Sequence, residues 1–457
     1  MEDRFMQLIQ RQKEHFYTGA TLPVQSRLQA LKALQAALER YEEPLCRALF
    51  QDLHKSAFEA YETEIGVVRA ELRYFLRSLP GLNRPCRVAT PLTHFPSSTR
   101  LYRDPYGATL LLAPWNYPVQ LCLLPLIGAI AGGNCAVVKT SAHAPAVSAV
   151  LKQMLQEIYP PEYVAVVEGR EPESRSLAEG PFDLIFFTGS PAVGREIMEK
   201  AARNLTPVVL ELGGKSPCIV DETADLDLTA RRIVWGKSIN AGQTCVAPDY
   251  VLVQERVKPA LLEKLKEWAV RLQGTDPLHS PDLAHIVNFR HFRRLQVLRD
   301  GSPVYCGGGE LEESLAMELT VLTPRSWEEP VMQQEIFGPL LPVLGYETLE
   351  EVIALLQKKP EPLALYLFTN DRETQRRVME HLRFGGGCVN DTIMHVATNR
   401  IGFGGVGESG MGSYHGRSSF EAFTHAKGVV KKPAWLDLSL RYPPYEGKLP
   451  LLKKLLR

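Results

Sequence analysis

The sequence predicts an α/β protein in which parallel sheets are layered between helices, and three observations carry that expectation. From Thr109 onward the β-rich runs TLLLA, CAVVK, YVAVVEG and DLIFFTG alternate with helical stretches, the pattern of βαβ units building a parallel sheet. A second alternation follows, with PVVLEL, SPCIVD and DYVLVQ as strands and Ala230 to Asn240 and Val257 to Leu272 as helices. The length, 457 residues, leaves room for about three domains at roughly 150 residues each.

Taken in order, the start MEDRFMQLIQRQKEH carries charges throughout and has no apolar core of the secretory type, so no signal peptide is expected. Residues 24 to 53 read as one helix, with Ser26 as a cap and Leu28, Leu31, Leu34 and Leu38 on one face. Pro105 to Val138 contains no charged residue and is long enough to span a bilayer. Pro114, Asn116, Pro118, Pro125 and the Gly132-Gly133-Asn134 turn interrupt it, so it reads instead as strand, loop, buried helix, turn and strand. From Gly385 to Gly416 glycine is dense, yet Phe384, Val389, Ile393, Met394, Ile401 and Phe403 are interspersed. Those apolar side chains need cover, which argues for a packed functional loop over a polar linker. The end, KLPLLKKLLR, is cationic and apolar, too short to span a membrane but suited to lie on a surface or dock on a partner.

Composition excludes several functions. Lys plus Arg and Asp plus Glu both total 52, so no field of one sign gathers nucleic acid, and no nucleic-acid partner is expected. The 8 cysteines are scattered singly, unlike a disulfide-stapled module, which points to a reducing cytoplasm.

Motif tests narrow the chemistry. Gly189-Ser190-Pro191-Ala192-Val193-Gly194 follows the strand DLIFF and opens a helix whose N–H groups can face a phosphate, but Arg195 and Glu196 stand where a P-loop needs Lys and Ser or Thr. GGKS at 213 to 216 fails too, with Val209 in the place of the first glycine. The run Gly407-Glu408-Ser409-Gly410-Met411 lacks the spacing of a serine nucleophile elbow. No CxxC or HExxH occurs, so no metal site is expected. Three reactive residues remain. Cys245 lies in the open, polar context Asn240-Ala241-Gly242-Gln243-Thr244-Cys245, unlike Cys122 in LCLLPL. As a nucleophile it needs a helix N-terminus or a positive neighbour to raise its thiolate fraction; the plain alternative is an inert buried cysteine. Glu211 interrupts an apolar strand, where a carboxylate must be paired, protonated or working. Asn116 in Pro114-Trp115-Asn116-Tyr117-Pro118 offers an amide donor, or simply caps a turn.

At these residues a resemblance becomes specific. PWNYP at 114 to 118, FTGSPAVG at 187 to 194, LELGGKSP at 210 to 217, GQTCVAPD at 242 to 249, EIFGP at 335 to 339 and FGGVGESGMGSYHG at 403 to 416 resemble, in order, the motifs of the NAD(P)-dependent aldehyde dehydrogenases. GQTCVAPDY, PLALYLF at 362 to 368 and RYPP at 441 to 444 look like the class 3 branch. The resemblance implies a Rossmann-type cofactor domain from 1–83 and 106–208, and an α/β catalytic domain at 209–419. It further implies a small bridging element from 84–105 and 420–457 that joins two subunits as a dimer. It makes Cys245 the nucleophile, Glu211 the general base, and Asn116 with the Cys245 N–H the oxyanion hole. For NAD or NADP it implies Lys139 and Ser141 at the adenosine ribose, Gly189, Ser190 and Gly194 near the pyrophosphate, and Glu335 and Phe337 at the nicotinamide ribose and ring. The implied substrates are medium- or long-chain aliphatic or aromatic aldehydes, in a pocket around Tyr117, Ile393 and Met394. A CoA-acylating enzyme is the first alternative, disfavoured by Glu211, and a catalytically silent relative the second. Some class 3 relatives touch membranes through a longer tail, so weak peripheral membrane contact through the C-terminus stays open beside a cytoplasmic location.

One departure generates a prediction. Where the family often has Lys-Pro-Ser-Glu, this chain reads Lys139-Thr140-Ser141-Ala142, and the missing carboxylate is the group that repels a 2′-phosphate. Steady-state kinetics with each cofactor are expected to show that NADP serves beside NAD; a preference for NAD above about a hundredfold contradicts this.

Overall fold

The computed structural model describes residues 2–456. Its first sheet has five parallel strands in the spatial order Val208–Leu212, Leu184–Gly189, Ala108–Leu112, Cys135–Lys139 and Val164–Val167, with Gly410–Met411 antiparallel at the edge beside Val208–Leu212. The chain winds outward from Ala108–Leu112 in both directions, so strand order reverses between it and Leu184–Gly189. This is the doubly wound arrangement, whose ligands bind beyond the carboxyl ends of the strands at that switch point. Ala108–Leu112 and Cys135–Lys139 are buried at every position, as both-face coverage by helices requires.

The uncharged stretch resolves into strand Ala108–Leu112, a loop, helix Gln120–Gly132 and strand Cys135–Lys139. The helix is apolar all round because it is buried all round. It continues through Pro125, which the sequence reading took as a break. Residues 24 to 53 form two helices, Val24–Arg40 and Glu42–Leu53, separated at Tyr41. Pro44 explains the split, since its ring clashes with the carbonyl four residues back and fits only in a new first turn. Ser26 caps nothing; Pro23 precedes the first helical residue.

A second sheet of seven strands runs Val304–Cys306, Thr320–Leu322, Leu340–Tyr346, Tyr250–Gln254, Pro217–Val220, Ala364–Phe368 and Gly386–Val389, parallel throughout except for its first pair. A third, antiparallel, joins Cys86–Val88, Ser98–Pro105 and Thr424–Lys431. Thr424–Lys431 lies at its edge and is exposed beyond its first residue. The glycine-dense loop folds back on itself through a Phe403–Tyr414 bridge with both rings buried, whereas Met394 and Ile401 remain about half exposed, at 50% and 54%.

Candidate functional site

Asn116 sits in the loop leaving Ala108–Leu112, and a buried ion pair holds that loop. Lys55 and Glu64 are both fully buried, with Nζ 2.7 Å from Oε1. Glu64 lies in a π-helical turn, Tyr61–Ile65, and its other oxygen accepts from the N–H groups of Val119 at 2.7 Å and Gln120 at 3.1 Å, where helix Gln120–Gly132 begins. A carboxylate at a helix N-terminus satisfies donors that the helix itself cannot. Lys55 also donates to the Asn116 carbonyl at 3.0 Å, and its ammonium lies 4.0 Å from the centre of the Tyr117 ring.

The loop bearing Cys245 is strained and tightly fixed. Asn240 and Ala241 have φ of 52° and 51°, left-handed values that cost non-glycine residues about 1–3 kcal/mol each. Gly242, at φ 69°, approaches the Gly338 carbonyl so closely that an added Cβ would stand 2.4 Å from it. Hydrogen bonds over-determine the geometry. The Asn240 N–H donates to Glu59 at 2.7 Å, and its side-chain amide donates to the carbonyls of Asn116 at 2.8 Å and Gln243 at 3.1 Å. Gln243 donates to the carbonyls of Asn240 and His285 and accepts from the Val287 N–H. The Asn116 amide donates to the Gln243 carbonyl at 3.0 Å, which leaves its second N–H for another acceptor. Asn116 is thus locked against the nucleophile loop rather than capping its own turn.

Cys245 is half-buried. Burial, then Glu335 and Glu211, push its thiol up to about 12, while the backbone N–H groups of Cys245 and Val246 pull the other way. Among the described residues no cation or helix N-terminus lowers this thiol; only the backbone N–H groups of Cys245 and Val246 oppose the rise. Glu211 is 2% exposed on strand Val208–Leu212, and neither carboxyl oxygen has a hydrogen-bond partner among the described residues. Burial holds its carboxyl well above the usual range. Glu335 is pushed up to about 8 by burial and by Asp249, against the hydrogen bond it accepts from the Gly214 N–H. It packs on Gly213, where a Cβ would meet a carboxyl oxygen at 2.2 Å.

Three sequence motifs meet at Asp249. Its carboxylate pairs with Lys215 and accepts from the Ile336 N–H at 2.9 Å, joining LELGGKSP and EIFGP to the strand after Cys245. Lys215 also donates to the carbonyls of Val331 and Gln334, both at 2.9 Å.

Two cavities flank this centre. One, of about 260 Å³, brings Cys245 together with Tyr117, Trp235, Ile393, Met394 and Phe403. The other, of about 670 Å³, places Pro191 opposite Gly213, Gly214 and Glu335. Gly189 ends its strand, Ser190 caps helix Pro191–Ala202 by accepting from the Val193 N–H, and Gly194 packs against Leu212. Lys139 donates to the Gly169 carbonyl at 2.7 Å and is lowered to about 8 by burial; Ser141 Oγ accepts from the His143 N–H at 3.3 Å. Phe337 meets the Trp115 ring edge-on, with centres 5.4 Å apart. Lys139, Ser141 and Gly189 stand at or just beyond the carboxyl ends of their strands, and Thr140 Oγ1, Thr188 Oγ1 and Glu335 Oε1 are buried without partners among the described residues. Those free hydroxyls and the carboxyl suit the ribose hydroxyls of a dinucleotide, and the helix N-terminus suits its pyrophosphate.

Lys55, Glu59, Glu64, Asn240 and Gln243 were not singled out from sequence. Their signal was weak, because each lies in a segment where a charged or amide residue normally faces water. Lys237 was missed for the same reason: it is fully buried, its ammonium has no partner among the described residues, and burial lowers it to about 8.

Fold and site together describe an NAD(P)-dependent oxidoreductase scaffold. The model of the aldehyde dehydrogenase family matches residues 2–429. The 4,4'-diaponeurosporen-aldehyde dehydrogenase of Staphylococcus aureus is 44% identical over 443 residues, 96% of each chain. Human aldehyde dehydrogenase family 3 member B1 is 42% identical over 95% of this chain and 94% of its own. The structure of the substrate-bound state of Staphylococcus aureus AldH superposes with a TM-score of 0.97 at 43% identity, covering 99% of both chains. The chain belongs to the aldehyde dehydrogenase family, and it is an enzyme that oxidises aldehydes to carboxylic acids with NAD or NADP.

The buried pair makes a stability prediction. Lys55→Met strands the Glu64 carboxylate in the interior and is expected to cost about 3–5 kcal/mol in chemical denaturation, with partial recovery when Glu64→Gln is added. A loss below about 0.5 kcal/mol, the size of an ordinary surface change, contradicts the clamp.

Proposed function

We propose that Cys245 is the nucleophile, Glu211 the general base, and Asn116 with the Cys245 N–H the oxyanion hole. The observation that carries this reading is the amide of Asn116 locked on the Gln243 carbonyl, two residues before a thiol that Glu211 reaches electrostatically. Attack of the Cys245 sulfur on the aldehyde carbon makes a tetrahedral alkoxide. The free Asn116 N–H and the Cys245 N–H stabilise it, and removing one such donor typically costs about 3–4 kcal/mol. NAD or NADP, when bound, supplies the hydride acceptor that turns this adduct into a thioester. Glu211 then takes a proton from the attacking water, the carbon–sulfur bond breaks, and the carboxylic acid and the thiol are released. Glu335 and Phe337 would hold the nicotinamide ribose and ring, Gly189 to Gly194 the pyrophosphate, and Lys139 and Ser141 the adenosine ribose. Acceptance of NADP is supported by the charge around Lys139: after burial, the positive charges of Lys139, Arg290 and Arg170 are what lower His143.

The apolar lining of the Cys245 cavity supports medium- or long-chain aliphatic or aromatic aldehydes as substrates. The three sheets support a division into cofactor, catalytic and bridging parts, with the first boundary after Leu212 rather than at 208/209 because Val208–Leu212 lies in the first sheet. The open edge of Thr424–Lys431 supports a homodimer, because an unpaired strand edge is a ready pairing surface. Free thiols at all eight cysteines favour a cytoplasmic location. No helix among the described residues is long and apolar enough to cross a membrane. The exposed leucines and lysines of helix Leu449–Leu455 support peripheral contact with a membrane surface.

Cys245→Ser is expected to abolish aldehyde oxidation, and Glu211→Gln to give one burst of reduced cofactor followed by slow turnover. The raised carboxyl of Glu211 must lose its proton before it can act as a base. Hydrolysis-limited turnover should therefore climb with pH above the range where an ordinary carboxyl has already ionised, and Glu211→Gln should flatten that climb. Full-speed turnover in Glu211→Gln, or an identical pH profile, removes the assignment.

A further inference from the structure

Helix Gly66–Leu82 walls two concavities. Val67, with Glu62 and Thr63 just before it, faces the cavity at Cys245, while Ala70, Arg73, Tyr74, Arg77 and Ser78 wall a groove of about 340 Å³. One chain segment contributes to the walls of both: Ile393, Met394, Val396 and Ala397 reach the cavity, and Asn399 and Arg400 the groove. The Asn399 amide donates to the Ala70 carbonyl at 3.3 Å and stitches the walls together between the two. Residues 63, 67, 70, 74 and 77 recur at spacings of three and four, so cavity and groove lie along one helix face. At the helical rise, Arg73 and Arg77 stand about 9 and about 15 Å beyond Val67.

The groove holds three guanidinium groups and no carboxylate. One turn back, Arg69 is paired with Glu42 at 2.9 Å and Glu39 at 3.5 Å, whereas Arg73, Arg77 and Arg400 have no ion pair among the described residues. Arg73 and Arg77 are four apart on the helix, where like charges work against it. Planar guanidinium forks converging on one concavity suit an oxyanion with two or three acceptor oxygens.

We propose that this groove takes a carboxylate or phosphate carried on the far end of a long-chain aldehyde whose reactive end occupies the cavity at Cys245. The inference rests on the reading of Cys245 as the reaction centre. It adds a substrate class: aldehydes with an apolar chain between the carbonyl and an anionic terminus. The chain would run along the helix face from Val67 toward Arg77, over the Asn399–Ala70 hydrogen bond that joins the walls, and the arginines fix its far end.

The test pairs saturated ω-carboxy-aldehydes of increasing length with uncharged aldehydes of equal length, oxidised by the full chain and by Arg73→Gln/Arg77→Gln. In the unsubstituted enzyme the carboxylate is expected to raise kcat/KM on the order of tenfold, through KM, for long chains only, as charge-assisted bonds from two forks allow. Added salt should shrink the advantage. The double variant should lose it while changing oxidation of uncharged aldehydes less than about twofold, and Arg73→Lys/Arg77→Lys should keep part of it. Inorganic phosphate, as a free oxyanion, should compete with the long ω-carboxy-aldehyde and leave a short uncharged one untouched. The proposal is overturned if charged and uncharged substrates respond alike at every length, or if phosphate binds the groove without altering the carboxylate preference. Failure of the underlying reading looks different, since Cys245→Ser would then still oxidise uncharged aldehydes.

Discussion

A single buried ion pair, Lys55 with Glu64, is the constraint on which the rest of the site depends. Taking two charges out of water is costly, and their mutual attraction offsets the cost only when every remaining donor and acceptor is satisfied. Here they are well satisfied. Glu64 holds the two N–H groups that start helix Gln120–Gly132, and Lys55 holds the carbonyl of Asn116. The same carbonyl receives Asn240, so one peptide oxygen links the loop of the first sheet to the loop of Cys245. Because the pair satisfies its remaining hydrogen bonds on the Asn116 loop and the start of helix Gln120–Gly132, burial of charge translates into a fixed position for Asn116, which Asn240 then links to the loop of Cys245.

The electrostatics around that thiol follow from dryness rather than from cations. Glu211, Glu335 and Cys245 all sit where burial penalises the charged form, and the two carboxyl groups add to the cost of ionising the Cys245 thiol. Asp249 anchors the cluster from outside through Lys215 and the Ile336 N–H, which keeps Glu335 pressed on Gly213.

Much of this was legible in the sequence, and the remainder has physical reasons for being hidden. The alternation of β-rich runs with helices marked the five parallel strands of the first sheet and two of the second to within a few residues, because both-face burial leaves little but Val, Ile and Leu in them; PVVLEL, expected in the second layer, instead pairs with Leu184–Gly189 in the first. Proline chemistry misled twice: Pro44 divided a helix that leucine periodicity read as continuous, and Pro125 failed to divide one that is held by burial on every side. Cys245, Glu211 and Asn116 stood out because each breaks a local expectation. Lys55, Glu64 and Asn240 did not, since a lysine and a glutamate nine residues apart signal nothing until tertiary structure removes the water between them. The backbone N–H groups that oppose burial at Cys245 carry no sequence signature either.

The central claim, that a thioester forms on the sulfur of Cys245 within this dry, clamped centre, is tested most directly by trapping it. Glu211→Gln, mixed with cofactor and a long-chain aldehyde and quenched in acid within the first turnover, should carry one acyl group per chain on the peptide containing Cys245, released by hydroxylamine. An acyl group on any other residue, or reduced cofactor formed with no acylated peptide at all, contradicts the account.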